Sequence, residues 1–278
     1  MKKLMLASTV CSAIAGATIV SPVTAMASPA IATAVAVEAA KNVLPNVEVE
    51  TRMFSPSFDT KVHSDSINYN GGDVSLKDDL GFDDKKGPEF IVRYRNMSLD
   101  WIHASSSGNA TLKDDLKIDD KTFSKGSGIN SDSDINYVKF TVTRPIVSTP
   151  LAGATWNYGI AALNWKLSAN GKVTATAAGQ TATTAQSASE DYTVPIPMVG
   201  VGGAATLAPG LGVYANISGL PLASYGHIYD LETGLTYQPV PNLSVRAGYR
   251  KIDINVHKDD DRGNFRLAGP FVGLSYSF

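Results

Sequence analysis

Apolar and polar side chains alternate with a period of two along most of the chain beyond residue 46. In the last segment, Val272, Leu274, Tyr276 and Phe278 alternate with small or polar residues such as Gly273. Successive side chains of a β-strand point to opposite faces, so this pattern predicts strands with one apolar and one polar face. Ten such segments are present, at residues 47–53, 89–95, 98–101, 137–142, 156–167, 192–205, 211–217, 225–237, 243–250 and 271–278.

The connections between these segments differ in length in a regular way. Three long connections, residues 59–87, 105–134 and 168–190, fall on one side together with two shorter ones near Pro221 and Asp259. The connections on the other side are short and contain Pro, Gly or Asn, which favour turns; they lie at residues 95–97, 144–151, 208–210 and 239–242. This alternation predicts antiparallel strands.

Two features of the pattern leave the strand number open. Pro195 and Pro197 each remove a ladder hydrogen-bond donor, which predicts an irregular or bulged entry to the sixth segment. The fifth segment is weaker and has a possible phase change near Ala161. If these two segments are not strands, the chain has eight strands instead of ten.

The last segment resembles the C-terminal strand of bacterial outer-membrane β-barrel proteins, which ends in Phe after alternating apolar and aromatic residues. The resemblance implies an all-β fold, a single transmembrane antiparallel barrel over residues 47–278, in the cell outer membrane. It is closest to small porin-like barrels of unassigned role, and a soluble β-sandwich is the alternative. In the family, the assembly machinery recognises this strand; the residues that would form the signal here are Val272, Gly273, Leu274, Tyr276 and Phe278.

The N-terminus has the pattern of a secretory signal peptide. Lys2 and Lys3 precede an apolar stretch over residues 4–20, and Ala25-Met26-Ala27 matches an A-x-A cleavage site. Residues 1–27 are therefore predicted to be removed, although neighbouring A-x-A triplets leave the exact bond open. Residues 28–46 are predicted to be a periplasmic N-terminal segment.

The composition after residue 27 narrows the function. Cys11, the one cysteine, lies within the predicted signal, so no disulfide is expected in an exported chain and a closed, hydrogen-bonded barrel fits. The remaining 251 residues carry 22 basic and 26 acidic side chains, a net charge of −4, which argues against nucleic acid as a partner. No later stretch approaches the roughly 20 consecutive apolar residues of a membrane helix.

The polar faces of the strands carry charges of both signs. In a narrow ten-stranded barrel, side chains largely fill the lumen. We interpret the set either as a structural ion-pair network or as a constriction of a narrow porin-like passage for small solutes. Pairing across residues 239–242 places Asp230 opposite Arg250 and Glu232 diagonal to it. The predicted lumen charges are Glu48, Glu50, Arg52, Glu89, Arg93, Arg95, Asp230, Glu232, Arg246 and Arg250, with Asp100 and Lys139 on the same faces.

An internal repeat lies in the first two long connections. Residues 75–85 (SLKDDLGFDDK) match residues 111–121 (TLKDDLKIDDK), and two copies are too few for a solenoid. We interpret them as similar excursions of outer loops. Their Asp pairs are solvated acidic loops or possible sites for divalent cations that bridge to lipopolysaccharide, a predicted partner together with membrane lipid.

A hydrolase is the alternative function. Outer-membrane proteases of ten strands use Asp and His at the outer rim, and the nearest pairs here are His227 with Asp230 and His257 with Asp259. His103 and Ser105 resemble the His-x-Ser pair of lipid A deacylases, but earlier in the chain than in that family. Four histidines give such pairs by chance, so we expect no catalytic, cofactor or metal site.

Overall fold

The computed structural model describes residues 47–278 except 65–66, 85, 120, 178–179, 222–225 and 259–260, so the predicted signal peptide and periplasmic segment lie outside the described residues. In the described part no helix is long and apolar enough to cross a membrane. The strands are β1 Val47–Phe54, β2 Ser57–His63, β3 Ile67–Tyr69, β4 Val74–Ser75, β5 Gly87–Tyr94, β6 Met97–Thr111, β7 Leu116–Ile118, β8 Lys121–Phe123, β9 Gly128–Ser148, β10 Ala152–Ala177, β11 Gln180–Ala208, β12 Leu211–Pro221, β13 Gly226–Val240, β14 Leu243–Lys258 and β15 Asp261–Ser277.

The long strands close into an antiparallel barrel. The order is β1-β5-β6-β9-β10-β11-β12-β13-β14-β15, and β1 pairs with β15 to complete the circle. β2 continues the line of β1 along β15 after a break at Ser55 and Pro56, so β1 and β2 together make one staggered strand. The prediction of ten strands is therefore confirmed.

The two ends of the barrel differ. Both described termini, Val47 and Phe278, lie at the end with the short turns, and the amide of Phe278 donates to the Val47 carbonyl at 2.8 Å. In single-chain bacterial barrels of even strand number this is the periplasmic end. The strand itself ends at Ser277, one residue before the predicted end.

The two faces of each strand exchange polarity part-way along the barrel. Near the periplasmic end of β6, Trp101 points outward and is exposed while Asp100 is buried inside. One residue further, Ile102 is buried inside and His103 points outward. The same exchange occurs on β14, where inward Arg250 is followed by inward Ile252. We call this level the inversion row; apolar residues face outward below it and inward above it.

The inversion row explains the weak fifth segment. β10 alternates without a break, with Ile160 outward and Ala161, Leu163 and Trp165 inward. The possible phase change near Ala161 is therefore an exchange of polarity between the faces in a regular strand. Above this level the exterior of the barrel is water-facing, and the interior is an apolar core.

The sixth segment is a regular strand, so the predicted irregularity at its prolines is wrong. β11 keeps one register against β10 through Pro195 and Pro197. β12 pairs with β11 from Val199 onward only, so the prolines lie where β11 has an edge without a described partner strand on that side. A residue without an N–H is tolerated at such an edge. The predicted loop at residues 168–190 is largely the arms of the β10–β11 hairpin.

The two copies of the repeat fold into the outer mouth of the barrel. Leu76, Leu80 and Phe82 of the first copy and Leu112, Leu116 and Ile118 of the second are all buried in the apolar core. Their acidic side chains support the loops, since Asp79 accepts the amide of Ser75 at 2.8 Å and Asp115 accepts that of Lys125 at 2.8 Å. We call residues 75–82 and 111–118 the repeat cap.

Candidate functional site in the barrel lumen

The charged residues of the lower lumen form one connected cluster. They come from β1, β5, β6, β9, β13 and β14, and each lies on the inward face because its neighbours in sequence face outward. Burial inside a barrel removes water from charged groups, which is favourable only where each charge finds partners. Nearly all the predicted lumen charges do so; buried or half-buried in the cluster are Glu48, Glu50, Arg52, Glu89, Arg93, Asp100, Lys139, Asp230, Glu232, Arg246 and Arg250.

Arg250 is the centre of the cluster, and its side chain is 0% exposed. Its Nε and Nη2 donate to the two carboxylate oxygens of Asp230 at 3.0 and 2.7 Å, a bidentate pair. Its Nη1 contacts Asp100 at 2.7 Å and also donates to Glu89. Asp230 is contacted in addition by Lys139. One guanidinium therefore holds three carboxylates from three different strands.

Arg52 forms a second centre beside the first. Its guanidinium contacts Glu50 at 2.5 Å, Glu232 at 2.9 Å and Glu89 at 3.3 Å. It also lies over the ring of Phe271, 4.2 Å from the centroid. Glu89 is thus shared between the two arginines, which joins β1, β5, β13 and β14 across the lumen.

The periplasmic rim of the cluster is more exposed. Arg93 contacts Glu48 and Glu50, each at 2.7 Å. Arg246 contacts the same two carboxylates at 2.8 and 2.5 Å. These two arginines lie on opposite sides of β1 and hold its acidic side chains between them.

The register of β13 and β14 differs from the prediction by two residues. Glu232 lies opposite Arg250 and Tyr237 lies opposite Val245, where the prediction placed Tyr237 opposite Leu243. An irregularity between Tyr237 and Val240 near the turn causes the shift. A shift of two keeps every side chain on its own face, so the Asp230–Arg250 pair forms along a diagonal.

Arg95 is the predicted lumen charge that lies elsewhere. It occupies the turn between β5 and β6 with a φ of 55°, and its guanidinium lies over the Tyr94 ring at 5.1 Å. The strand ends one residue too early for Arg95 to face the lumen.

Two tyrosines join the cluster without having been predicted as sites: Tyr137 donates to Asp230 at 3.3 Å, and Tyr214 donates to Glu232 at 2.8 Å. In the sequence, both tyrosines occupy the polar positions of their alternating segments, and that was the signal that could have placed them in the lumen.

Two cavities lie between the periplasmic end and the cluster. A cavity of about 360 Å³ is lined by residues that include Arg93, Tyr214 and Arg246. A second cavity of about 140 Å³ shares Arg93 and Glu232 with the first and reaches Asp230. The two form a vestibule that ends at the central cluster. Above it lies the apolar core beneath the repeat cap.

Comparison with known proteins identifies the fold. The crystal structure of the outer membrane protease OmpT from Escherichia coli matches with a TM-score of 0.55 at 9% identity, over 85% of this chain and 98% of OmpT. The chain has the fold of the outer-membrane β-barrel proteins. Residues 159–278 of the barrel also match a family model described as YfaZ precursor. No curated protein matches the barrel.

Further solved barrels match at lower similarity. They include the Pseudomonas putida toluene transporter TodX, with a TM-score of 0.32 at 10% identity over 84% of this chain and 90% of TodX. Ail, the attachment invasion locus protein of Yersinia pestis, matches with a TM-score of 0.29 at 13% identity over 84% of this chain and all of Ail. At such identities the likeness to any of these proteins concerns the fold alone.

Among the described side chains, the histidines considered for catalysis are not gathered with the predicted acids. His227 lies on the outer face and Asp230 on the inner face of β13, so the predicted pair is wrong; the nearest carboxylate oxygen to His227 is on Asp253 at 3.6 Å. His103 contacts the Asn136 amide oxygen at 3.1 Å. The pair of His257 and Asp259 lies outside the described side chains. Among the described residues no group of three or more potential metal ligands is present.

The strand predicted as an assembly signal closes the barrel. β15 pairs with β1 and β14, and its outward Val272 and Leu274 are exposed while inward Gly273 is buried. The ring of Tyr276 contacts that of Phe278 at 5.1 Å between centroids. The placement agrees with the predicted lipid-facing alternation, and recognition by the assembly machinery stays a prediction.

Proposed function

We propose that this barrel is a structural, non-catalytic component of the outer membrane that is closed to solutes. The observation that carries the proposal is the fully buried centre of the lumen, where Arg250 and Glu89 are both 0% exposed. A solute that entered the vestibule would have to separate these ion pairs. Breaking a buried pair costs about 3–5 kcal/mol, and here several pairs share the same groups.

The repeat cap supports the same function from the other side. Six apolar side chains of the two repeats are buried in the apolar core, on the outer side of the inversion row. A solute path would therefore cross both an apolar core and an ion-pair network. The narrow porin-like passage, which we considered from the sequence, requires both to open.

Electrical recording on planar bilayers tests the proposal. We expect the purified wild-type barrel to give no unitary steps, in bilayers where a known porin inserted in parallel gives steps. Arg93→Gln serves as the reporter variant, because Arg93 lines the vestibule and its side chain is 28% exposed. Reproducible wild-type steps whose ion selectivity changes in Arg93→Gln would overturn the closed barrel and establish the passage.

Two partners complete the proposed role. The alternating β15 supports delivery by the barrel-assembly machinery, since its lipid-facing residues form the pattern described above. Divalent cations at the acidic loops remain a prediction, because Asp79 and Asp115 already accept backbone amides there. A shift of melting temperature in calcium that is lost in Asp114→Asn, whose carboxylate lies in the same acidic loop, would support cation binding.

A further inference from the structure

One side of the lower lumen is lined by small residues. On β10, β11 and β12 the inward positions below the inversion row alternate with exposed outward residues such as Val199 and Val201. The opposite side, on β1, β5, β13 and β14, carries most of the long charged side chains of the cluster, so the lumen is filled on one side and hollow on the other. The small inward residues of the hollow side are Gly153, Gly200, Gly202, Ala204 and Gly212.

This hollow side extends the vestibule to the periplasmic mouth. A third cavity, of about 290 Å³, is lined by Pro150 and Leu151 of the β9–β10 turn, and it shares Gly153, Ala204 and Tyr214 with the cavity of about 360 Å³. The cavity of about 360 Å³ alone lies within the range of about 300–1,000 Å³ that small-molecule sites occupy. Because the ion-pair cluster lies at the inner end, the vestibule is a blind pocket that opens toward the periplasm.

Neutral polar side chains line the inner part of this pocket without using their hydrogen-bonding groups. Asn157, Asn216 and Ser218 make no side-chain hydrogen bond within the described part of the chain, although Asn157 and Ser218 are each only 6% exposed. Glycines make room for the two amides. A Cβ on Gly200 would lie 2.7 Å from Asn157 Oδ1, and one on Gly202 would overlap Asn216 Oδ1. Since buried polar groups are nearly always hydrogen-bonded, these groups have capacity left for a ligand.

The charged groups of the pocket, in contrast, already have partners. These ion pairs are Arg93 and Arg246 with Glu48 and Glu50, Lys139 and Arg250 with Asp230, Arg250 with Asp100, and Arg52 with Glu232. A charged ligand would have to displace one of these partners. A neutral ligand with many hydroxyl groups would instead meet the free amides, together with the hydroxyls of Ser98, Thr141 and Thr143 that line the same cavity.

We propose that the vestibule is a binding site for a neutral carbohydrate of one or two sugar units that enters from the periplasm. A carboxamide both donates and accepts, as a sugar hydroxyl does, so the two can pair in both directions. Tyr214 lines the outer part of the pocket, and its hydroxyl donates to Glu232, which holds the ring in the wall as an apolar surface for the sugar. The proposal goes beyond the closed barrel and does not depend on it, because a blind pocket needs only its periplasmic mouth.

Isothermal titration calorimetry on the purified barrel in detergent tests the proposal. The neutral probes are glucose, N-acetylglucosamine and maltose, and the charged comparisons are glucuronate and glucosamine, which keep the glucose ring. We expect saturable binding of at least one neutral probe and weaker binding of both charged sugars, because burying an unpaired charge is unfavourable.

Two variants test the site without removing an ion pair. Asn157→Leu keeps the size of the side chain and removes its amide, so sugar affinity should fall about tenfold while the melting temperature without sugar does not fall. Ala204→Leu extends a side chain into the cavity of about 360 Å³ and should abolish binding. Ala162→Leu is the matched control, since it makes the same change at an exposed outward position of β10 and should leave sugar affinity unchanged.

Failure of every neutral probe to bind the wild type would overturn the proposal. So would charged sugars that bind as tightly as the neutral probes, or equal affinity of Asn157→Leu and wild type; the Asn157 variant decides the matter if Ala204→Leu does not fold. Sugar binding together with unitary steps of the wild type in bilayers would overturn the closed barrel and support this site. A silent barrel that binds no sugar would do the reverse.

Discussion

Replacement of Arg250 by Gln tests how the lumen is held together. The change removes the one guanidinium that contacts Asp230, Asp100 and Glu89. Two of these acids keep another cation, since Asp230 still contacts Lys139 and Glu89 still contacts Arg52. Asp100 has Arg250 as its ion-pair partner among the described residues, and its Oδ1 already has no hydrogen-bond partner there.

The expected loss of stability follows from the number of carboxylates that lose their last cation. One carboxylate is left buried and uncompensated, which costs about 3–5 kcal/mol. Asp100 also lines the smaller cavity of the vestibule, of about 140 Å³, and water entering there would move the cost toward the lower end. We therefore expect Arg250→Gln to destabilise the barrel by about 3 kcal/mol.

A second substitution in the Arg250→Gln background shows which acid is left without a cation. Asp100→Asn with Arg250→Gln should recover most of the loss, whereas Asp230→Asn with Arg250→Gln should recover little, because Asp230 still contacts Lys139. Asp230→Asn alone should cost less than Arg250→Gln, because Arg250 retains two acids.

Equilibrium unfolding by guanidinium in lipid vesicles, followed by tryptophan fluorescence, measures these differences. Arg95→Gln is the control, since Arg95 is exposed in a turn and surface changes fall within about 0.5 kcal/mol. A loss for Arg250→Gln no larger than that of the control would refute the buried network. Equal recovery by the two second substitutions would show that Asp100 is not the group left without a partner.

Three further outcomes are expected. Gly248→Ala should destabilise the barrel by about 1–3 kcal/mol in the same assay, because a Cβ there would lie 2.2 Å from the Thr233 carbonyl oxygen. Phe278→Asp should accumulate in the periplasm on fractionation yet refold normally when purified, and normal surface levels would contradict the assembly signal. The pKa of Asp84 is lowered, chiefly by the Phe58 amide that donates to it at 2.9 Å and then by Lys77. The ionised Asp84 therefore stabilises the fold fully above its unfolded pKa, and this stabilisation is lost as the pH falls through the lower folded pKa. Melting curves of wild type and Asp84→Asn should therefore converge in acid, and a constant difference would rule this linkage out.

The barrel and its lumen charges were predictable because the lipid imposes a strict period of two. A charge such as Glu50 or Arg52 on β1 lies between outward residues and has only the lumen to face. The register across the β13–β14 turn was not predictable, since the irregularity between Tyr237 and Val240 depends on backbone geometry. That register decides which side chains of β13 and β14 lie diagonal to each other.

The upper half of the barrel was less predictable for a physical reason. Above the inversion row water replaces lipid, so the outward positions of β10 carry Asn164 and Lys166 and the alternation changes phase. The β10–β11 hairpin at residues 168–190 is rich in Ala, Ser and Thr and has little apolar alternation. The repeat cap did carry a signal, because each copy spaces two leucines four residues apart in an otherwise polar loop.

The inversion row also explains where the charged cluster lies. Asp100, Asp230 and Arg250 are each the last inward polar residues before the interior becomes apolar, at Ile102, Ile228 and Ile252. Below this level lipid takes the apolar side chains, so the interior must be filled with polar groups that pair with one another. Above it water takes the polar side chains, so the interior can be apolar. The two closures are therefore held by different forces, burial of apolar side chains above the row and pairing of charges below it.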